Sequence, residues 1–219
     1  MKSQWTIPLA IAFGGIVIAG ALYMSLPEKR PGGTNISLTN PLSTRDHILG
    51  NPTAPITIIT YSDFDCAHCK AFHETMNQVI AEAGTKGKVA WVFRHFPLTE
   101  INPHAFSHAR ASECAFTVGG NDLFWQFADA LFKAQPVLPQ NYGTIASSVW
   151  VRGDAFAKCV ATANPTLDAE IIADRENALA IGAIGTPYSV ILVNGTPVDV
   201  MEGGYSYSAV EAKIREVSK

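Results

Sequence analysis

Ile56-Thr57-Ile58-Ile59-Thr60-Tyr61-Ser62-Asp63-Phe64-Asp65-Cys66-Ala67-His68-Cys69-Lys70 is the stretch that decides the fold. Its first six residues are β-branched or aromatic and almost wholly apolar, the pattern of a short strand buried on both faces of a sheet. From Ala67 the period changes. Ala67, Phe72, Met76, Val79 and Ile80 recur at helical spacing, and Gly84 is the expected C-terminal stop. Val89 to Phe96, ended by Pro97, is a second β-rich run. The two sulfurs therefore sit where the first strand of a β–α–β unit hands over to its helix.

That position has chemical consequences. A free thiol ionises near pKa ~8.5, and only the thiolate attacks a disulfide. A helix N-terminus offers unpaired backbone N–H groups and the positive end of the helix dipole, and both favour an anion on Cys66. His68, between the two cysteines, can add a positive charge or donate to Cys66. The spacing of three places Cys69 one turn on, so Cys66 is expected to be the exposed attacker and Cys69 the buried resolver. A stabilised thiolate makes the corresponding disulfide readily reduced, and hence oxidising. Two competing readings remain: an inert pair of cysteines, and a tetrahedral metal site built from Cys66, Cys69, His73 and His95. No second CxxC follows, and no His-x3-His lies at a finger-like distance from the pair, so no metal or cofactor is expected.

Beyond the unit, residues 104 to 162 read as helical: Ala105–Val118, Asn121–Ala134, Tyr142–Val151 and Asp154–Ala161, punctuated by Gly119-Gly120, Pro136, Pro139 and Gly153. His104 and His108 lie four apart there, and packing or surface roles are expected for them. Phe124, Trp125, Phe127 and Phe132 are expected to pack this insert or to line a groove beside the site. A helix from about Leu167 to Ala183 follows. Gly185-Thr186-Pro187 then leads into a strand, Tyr188–Val193. Asn194-Gly195 is a hairpin turn, Thr196–Met201 the return strand, and Ser208-x-x-Glu211 a capping box opening a last helix. The order β-α-β, helical insert, α-β-β-α, with CxxC at the first strand–helix junction, is the thioredoxin arrangement. From sequence alone Pro187 is an ordinary turn proline, since only ~5% of X-Pro bonds are cis.

Residues 7 to 26 carry no charged side chain. About 20 such residues can span a bilayer as a helix. Lys2 and the free amine before them place the N-terminus in the cytoplasm and the domain outside. A cleaved signal peptide, with Ala19-Gly20-Ala21 as its site, is the rival, and the apolar run past that point favours an uncut anchor. Residues 27 to 45, rich in Pro, Gly, Ser, Thr and Asn, read as a flexible tether to a domain over 46–219. The formal charge of −3 and the lack of a Lys/Arg run exclude a nucleic-acid partner.

Several of these segments resemble a known family. They are Asp46-His47-Ile48-Leu49-Gly50-Asn51-Pro52, Tyr61 through Lys70, Phe93-Arg94-His95-Phe96-Pro97-Leu98, Phe124-Trp125-Gln126-Phe127 with Leu131-Phe132, Gly185-Thr186-Pro187 and Val193-Asn194-Gly195. Together, over about Thr44 to Val217, they are similar to DsbA-like proteins of the thioredoxin_4 type. The resemblance implies a thioredoxin fold with an inserted helical domain, a nucleophilic Cys66 and Pro187 in cis; a cis bond there would turn the Thr186 backbone toward the CxxC, where it can pair with a bound substrate strand. The leading reading is a dithiol oxidase on the extracytoplasmic, periplasmic or outer, side of the membrane, acting on exported, unfolded or extended polypeptides that carry cysteines. The resemblance also implies a quinone-linked membrane partner, DsbB-like or VKOR-like, that reoxidises the pair. Two positions depart from the family pattern. Ala67 stands where Cys-Pro-x-Cys has proline, and Thr60 stands where a buried acid is usual. An isomerase or reductase using the same cysteines is the near alternative, and a copper- or zinc-binding module of the same fold the distant one. In an oxidising compartment Cys114 and Cys159 can pair, closing a loop worth about 4 kcal/mol in the chain-entropy account, and the resemblance supports that structural disulfide. Two buried free thiols are the alternative.

Overall fold

The computed structural model describes residues 34–84 and 86–219. The expected membrane helix, its rival cleavage site and the first part of the tether lie outside the described residues. Among the described residues no helix is long and apolar enough to cross a membrane.

Among the described residues five strands form one mixed sheet: β1 (His47–Gly50), β2 (Ile56–Ser62), β3 (Val89–His95), β4 (Tyr188–Val193) and β5 (Thr196–Glu202), in the order β1-β3-β2-β4-β5. β2 and β3 are parallel, and every other neighbouring pair is antiparallel. All seven residues of β2 and all seven of β3 are buried, as a strand covered on both faces requires. Successive side chains of a strand point to opposite faces. Ile56, Ile58, Trp91 and Phe93 therefore enter one core, and Ile59, Tyr61 and Val92 the other. Each fully buried Ile or Phe contributes about 1.5–3 kcal/mol through the water it no longer touches.

Helices cover both faces. α1 (Ala67–Val79), which a π-helical turn at Ile80–Gly84 extends, packs Phe72, Met76 and Val79 into the first core. α2 (Ala105–Ala134), α3 (Tyr142–Ser148) and α4 (Gly153–Ala161) make the insert on the same side. α5 (Pro165–Ala180) closes the second core through Ala178. α6 (Tyr207–Val217) returns to the first through Val210. The hairpin turn forms as expected, with Asn194 and Gly195 both at positive φ (49° and 80°), the backbone a two-residue β turn needs.

The structure departs from the sequence expectations in four places. β1 was not foreseen: four residues at a sheet edge are too few to show a period. The two helices expected on either side of Gly119-Gly120 are one element, α2, kinked where Gly120 takes φ 71°. The last helix is capped by Ser206, whose hydroxyl accepts from Ala209 N at 3.4 Å, rather than by Ser208. Of the stretch expected to be a tether, residues 34–45 are folded onto the second core, where Ile36 and Leu42 pack. Arg94 holds them. Its guanidinium donates to both carboxylate oxygens of Asp46 (2.8 and 3.1 Å), to the carbonyls of Asn40 and Pro41, and to the Tyr61 hydroxyl. Asn177 adds two bonds to the same segment, from Asn40 N and to Leu38 O.

Candidate active site

Cys66 is the N-cap of α1. Its backbone is extended (φ −81°, ψ 121°), and its sulfur accepts from Cys69 N at 3.4 Å. The sulfur thus takes the place a Ser or Asp oxygen fills at other helix starts. As a thiol it can also donate to the Thr186 carbonyl, 3.5 Å away. Cys66 is half-buried and Cys69 is 1% exposed, and both are free thiols.

The two sulfurs are electrostatically unequal. The Cys66 pKa is lowered to about 6. The largest cause is the hydrogen bond from the Cys69 side chain. Burial works against it, and the Thr186 side chain and the backbone N–H groups of Cys69 and His68 reinforce it. The Cys69 pKa is pushed well above the ordinary thiol value, first by burial and then by its bond and proximity to Cys66. One sulfur is therefore anionic at neutral pH while the other keeps its proton. His68 enters this balance through its main chain, and its ring is exposed.

Thr186-Pro187 is a cis peptide that faces the pair across the sheet end. The Thr186 hydroxyl is buried without a close hydrogen-bond partner and stabilises an anion on either sulfur. Thr186→Val should therefore raise the Cys66 pKa. At pH 6, iodoacetamide should alkylate the variant's Cys66 more slowly than the wild type's, and an unchanged rate would remove the hydroxyl from this role.

The loop before Cys66 is held by residues the sequence reading passed over. Asp63 is buried, and its carboxylate accepts from Asp65 N, Leu98 N and the Asn102 amide at 2.8–2.9 Å. Burial raises its pKa. From the insert, Gln135 donates to Phe64 O at 2.9 Å. His108 pairs with Asp65 (2.9 Å) and with the Tyr142 hydroxyl (2.5 Å). Burial lowers the His108 pKa despite Asp65 beside it. The His104/His108 spacing marked this histidine in the sequence, but its partners lie far along the chain. The insert thus fixes the geometry of the active-site loop. Thr60, at the position where the family pattern has an acid, bonds Ser189 and accepts from Trp91, each at 3.0 Å.

Two other sets sort differently. Cys114 and Cys159 are disulfide-bonded and tie α2 to α4. The Cys66, Cys69, His73 and His95 donors do not converge: among the described residues the one group close enough to share an ion is His47, His95 and Glu113. His73 is bonded to Asp129 at 2.5 Å and packed against Trp91 and Phe132. Phe124, Trp125, Phe127 and Phe132 are buried in the first core.

Comparison with known proteins gives a consistent result. The family model Thioredoxin_4, described as thioredoxin, matches residues 42–212. The crystal structure of Pseudomonas aeruginosa DsbA2 aligns with a TM-score of 0.66 and 26% identity, covering 81% of this chain and 97% of that one. Wolbachia pipientis alpha-DsbA1 aligns with a TM-score of 0.68 and 23% identity, covering 80% and 92%. Oxidised BdbD from Bacillus subtilis gives 0.64 and 22%, covering 84% and 95%. Among curated sequences, the Na(+)/H(+) antiporter NhaA 1 of Mycolicibacterium vanbaalenii is 32% identical over 189 residues, 85% of this chain and 29% of the antiporter. That of Mycolicibacterium gilvum is 38% identical over 128 residues, 58% of this chain and 19% of the antiporter. The chain spans less than a third of the length of these curated relatives. With the family model matched across most of its length, and a thioredoxin sheet carrying CxxC at the start of α1, the chain belongs to the Thioredoxin_4 family as a DsbA-like member of the thioredoxin superfamily.

Proposed function

We propose that the protein is an extracytoplasmic dithiol oxidase that passes the Cys66–Cys69 disulfide to exported polypeptides. The enzyme is a protein disulfide oxidoreductase, and the observation that carries the direction is the Cys66 pKa of about 6 beside a strongly raised Cys69. In the oxidised enzyme a client thiolate attacks the Cys66 sulfur, and the S–S bond breaks toward Cys69. Cys69 leaves as a thiolate and takes up a proton, as its raised pKa favours. A second client thiolate then attacks the client sulfur of the mixed disulfide. Cys66 leaves as a thiolate, and the client keeps the new disulfide. Two electrons now reside on the enzyme dithiol, and a quinone-linked membrane partner is the proposed acceptor.

Stabilising the departing Cys66 anion favours the reduced enzyme and so the forward transfer. The sign follows from the depressed pKa. The stabilisation is absent below about pH 6 and grows as pH rises toward the ordinary thiol value. A client strand fits beside Thr186 in a shallow cavity of about 240 Å³ lined by Ile184, Pro187 and Glu202, where Ile184 is 80% exposed. Membrane anchoring through residues 7–26 remains part of the proposal. Ion exchange, named for the antiporters, does not.

Oxidative refolding of reduced, unfolded ribonuclease and reduction of insulin separate the possibilities. Rapid oxidation with weak insulin reduction is expected. Strong insulin reduction with no oxidation would make the protein a reductase, and preferential rescue of scrambled ribonuclease an isomerase.

A further inference from the structure

At the β1 edge, where the insert meets the sheet, three buried side chains meet that the exchange chemistry does not use. His47 Nε2 and His95 Nε2 lie 2.6 and 2.7 Å from the same Oε1 of Glu113. His47 comes from β1, His95 from the end of β3 and Glu113 from α2. We propose that His47, His95 and Glu113 form a site for a divalent transition metal of the zinc class, joining the sheet to the insert.

The donor set decides the class. Two imidazole nitrogens and one carboxylate oxygen, with other positions left to water, are ligands of tetrahedral zinc and of related first-row ions. Calcium and magnesium take oxygen ligands and are not served by two nitrogens. The rings are already held. His47 stacks on Phe124 at 3.4 Å between centroids and 8° between planes, and Phe116 meets it edge-on. His95 is edge-on to Phe93 and Phe124. Both Nδ1 atoms are buried without partners, so in the metal-free protein the shared Glu113 oxygen draws each ring's proton to Nε2, while an ion at that place would move it to the unengaged Nδ1. Each ring can carry its proton on Nδ1 and aim the Nε2 lone pair at an ion.

Charge argues in the same direction. The buried Glu113 carboxylate lies within hydrogen-bond distance of both rings and is an anionic donor whose charge a divalent cation would neutralise. Arg94 and Arg45 line the same cavity, yet they are engaged with Asp46 and Glu170. That cavity, of about 220 Å³, is lined by the three donors together with Glu170 and Asp174. It gives an ion a route in and gives water the open positions. At metal–nitrogen distances of roughly 2.0–2.1 Å, tetrahedral donors stand roughly 3.3 Å apart. The Glu113 side chain must therefore draw back by roughly 0.6–0.7 Å from each ring. Because neither Nδ1–H would find an acceptor, binding should be about 10–100-fold weaker than at a site with that outer support.

The test uses the oxidised protein, whose Cys66–Cys69 disulfide cannot bind metal. Titration with Co²⁺ should give one saturable equivalent with the visible d–d absorption of a nitrogen/oxygen site and no thiolate charge-transfer band. Zn²⁺ should displace it and raise the thermal midpoint. In the unmutated, ¹⁵N-labelled protein, Zn²⁺ should move the Nε2 resonances of two histidines. His47→Gln and Glu113→Gln, checked for native circular dichroism, should lose the absorption. The proposal is overturned if the wild type shows no saturable Co²⁺ binding, if no histidine Nε2 resonance moves, or if a folded His47→Gln variant binds as well as the parent.

Discussion

Cys66→Ser is expected to bring thiol–disulfide exchange down to the uncatalysed background, and Cys69→Ser, which cannot form the internal disulfide, is expected to lose oxidation and to trap an attacked disulfide peptide on Cys66. The asymmetry follows from the geometry. Cys66 is the half-exposed sulfur that a client can reach, and its anion is held by the Cys69 thiol, the Thr186 side chain and the first backbone N–H groups of α1. A serine hydroxyl there is neither ionised nor able to form a disulfide. Cys69, 1% exposed, meets no client directly but is placed to release one. With serine at that position the mixed disulfide between Cys66 and a client has no internal thiol to break it. Non-reducing electrophoresis after incubation with a reactive disulfide peptide separates the outcomes. A trapped adduct in Cys69→Ser and none in Cys66→Ser is expected. Adducts on Cys69 in the Cys66→Ser protein would reverse the assignment.

The second large effect lies far from the sulfurs. Arg94→Ala should destabilise the fold by about 3–5 kcal/mol, the cost of leaving a buried partner uncompensated. Arg94 and Asp46 are 4% and 5% exposed in their side chains and share two hydrogen bonds. Truncation leaves the Asp46 carboxylate with Ser43 N in place of a cation, takes the guanidinium donor from two backbone carbonyls, and leaves the Tyr61 hydroxyl bonded to Asn177 alone. The Tyr61 pKa is already pushed up to about 12, first by burial. Urea unfolding should show the lowered midpoint, and limited proteolysis should cut within residues 34–46 before the rest of the domain opens. Arg94→Lys should recover only part of the loss, because an ammonium cannot form the two parallel bonds. A full-stability Arg94→Ala protein would mean that these residues are held by the Asn177 bonds and the apolar contacts of Ile36 and Leu42 without the guanidinium.

Which parts were legible follows from the range of the interactions involved. β2, α1 and β3 could be read because their signals are local: a β-branched run, a change of period at Ala67 and a proline stop. The same holds for Asn194-Gly195, where the turn needs positive φ at two adjacent residues. Cys66 and Cys69 were legible because the chemistry and the helix start coincide within four residues. The folded segment 34–45 was not. It is polar and aperiodic, and its hold on the domain is made by Arg94 and Asn177, far away in sequence. The loop anchors from the insert, His108 to Asp65 and Gln135 to Phe64, were hidden for the same reason. A lone arginine inside Trp91-Val92-Phe93-Arg94-His95-Phe96 was the one available hint that a buried strand carried a polar partner.

The pH dependence of Cys66 alkylation in the reduced protein tests most directly whether that sulfur is held as an anion by its neighbours. With mass spectrometry resolving the two cysteines, the Cys66 rate should climb through about pH 6 and level off by neutrality while Cys69 stays unmodified. A rate that keeps rising toward pH 9, or modification of Cys69 first, would contradict it.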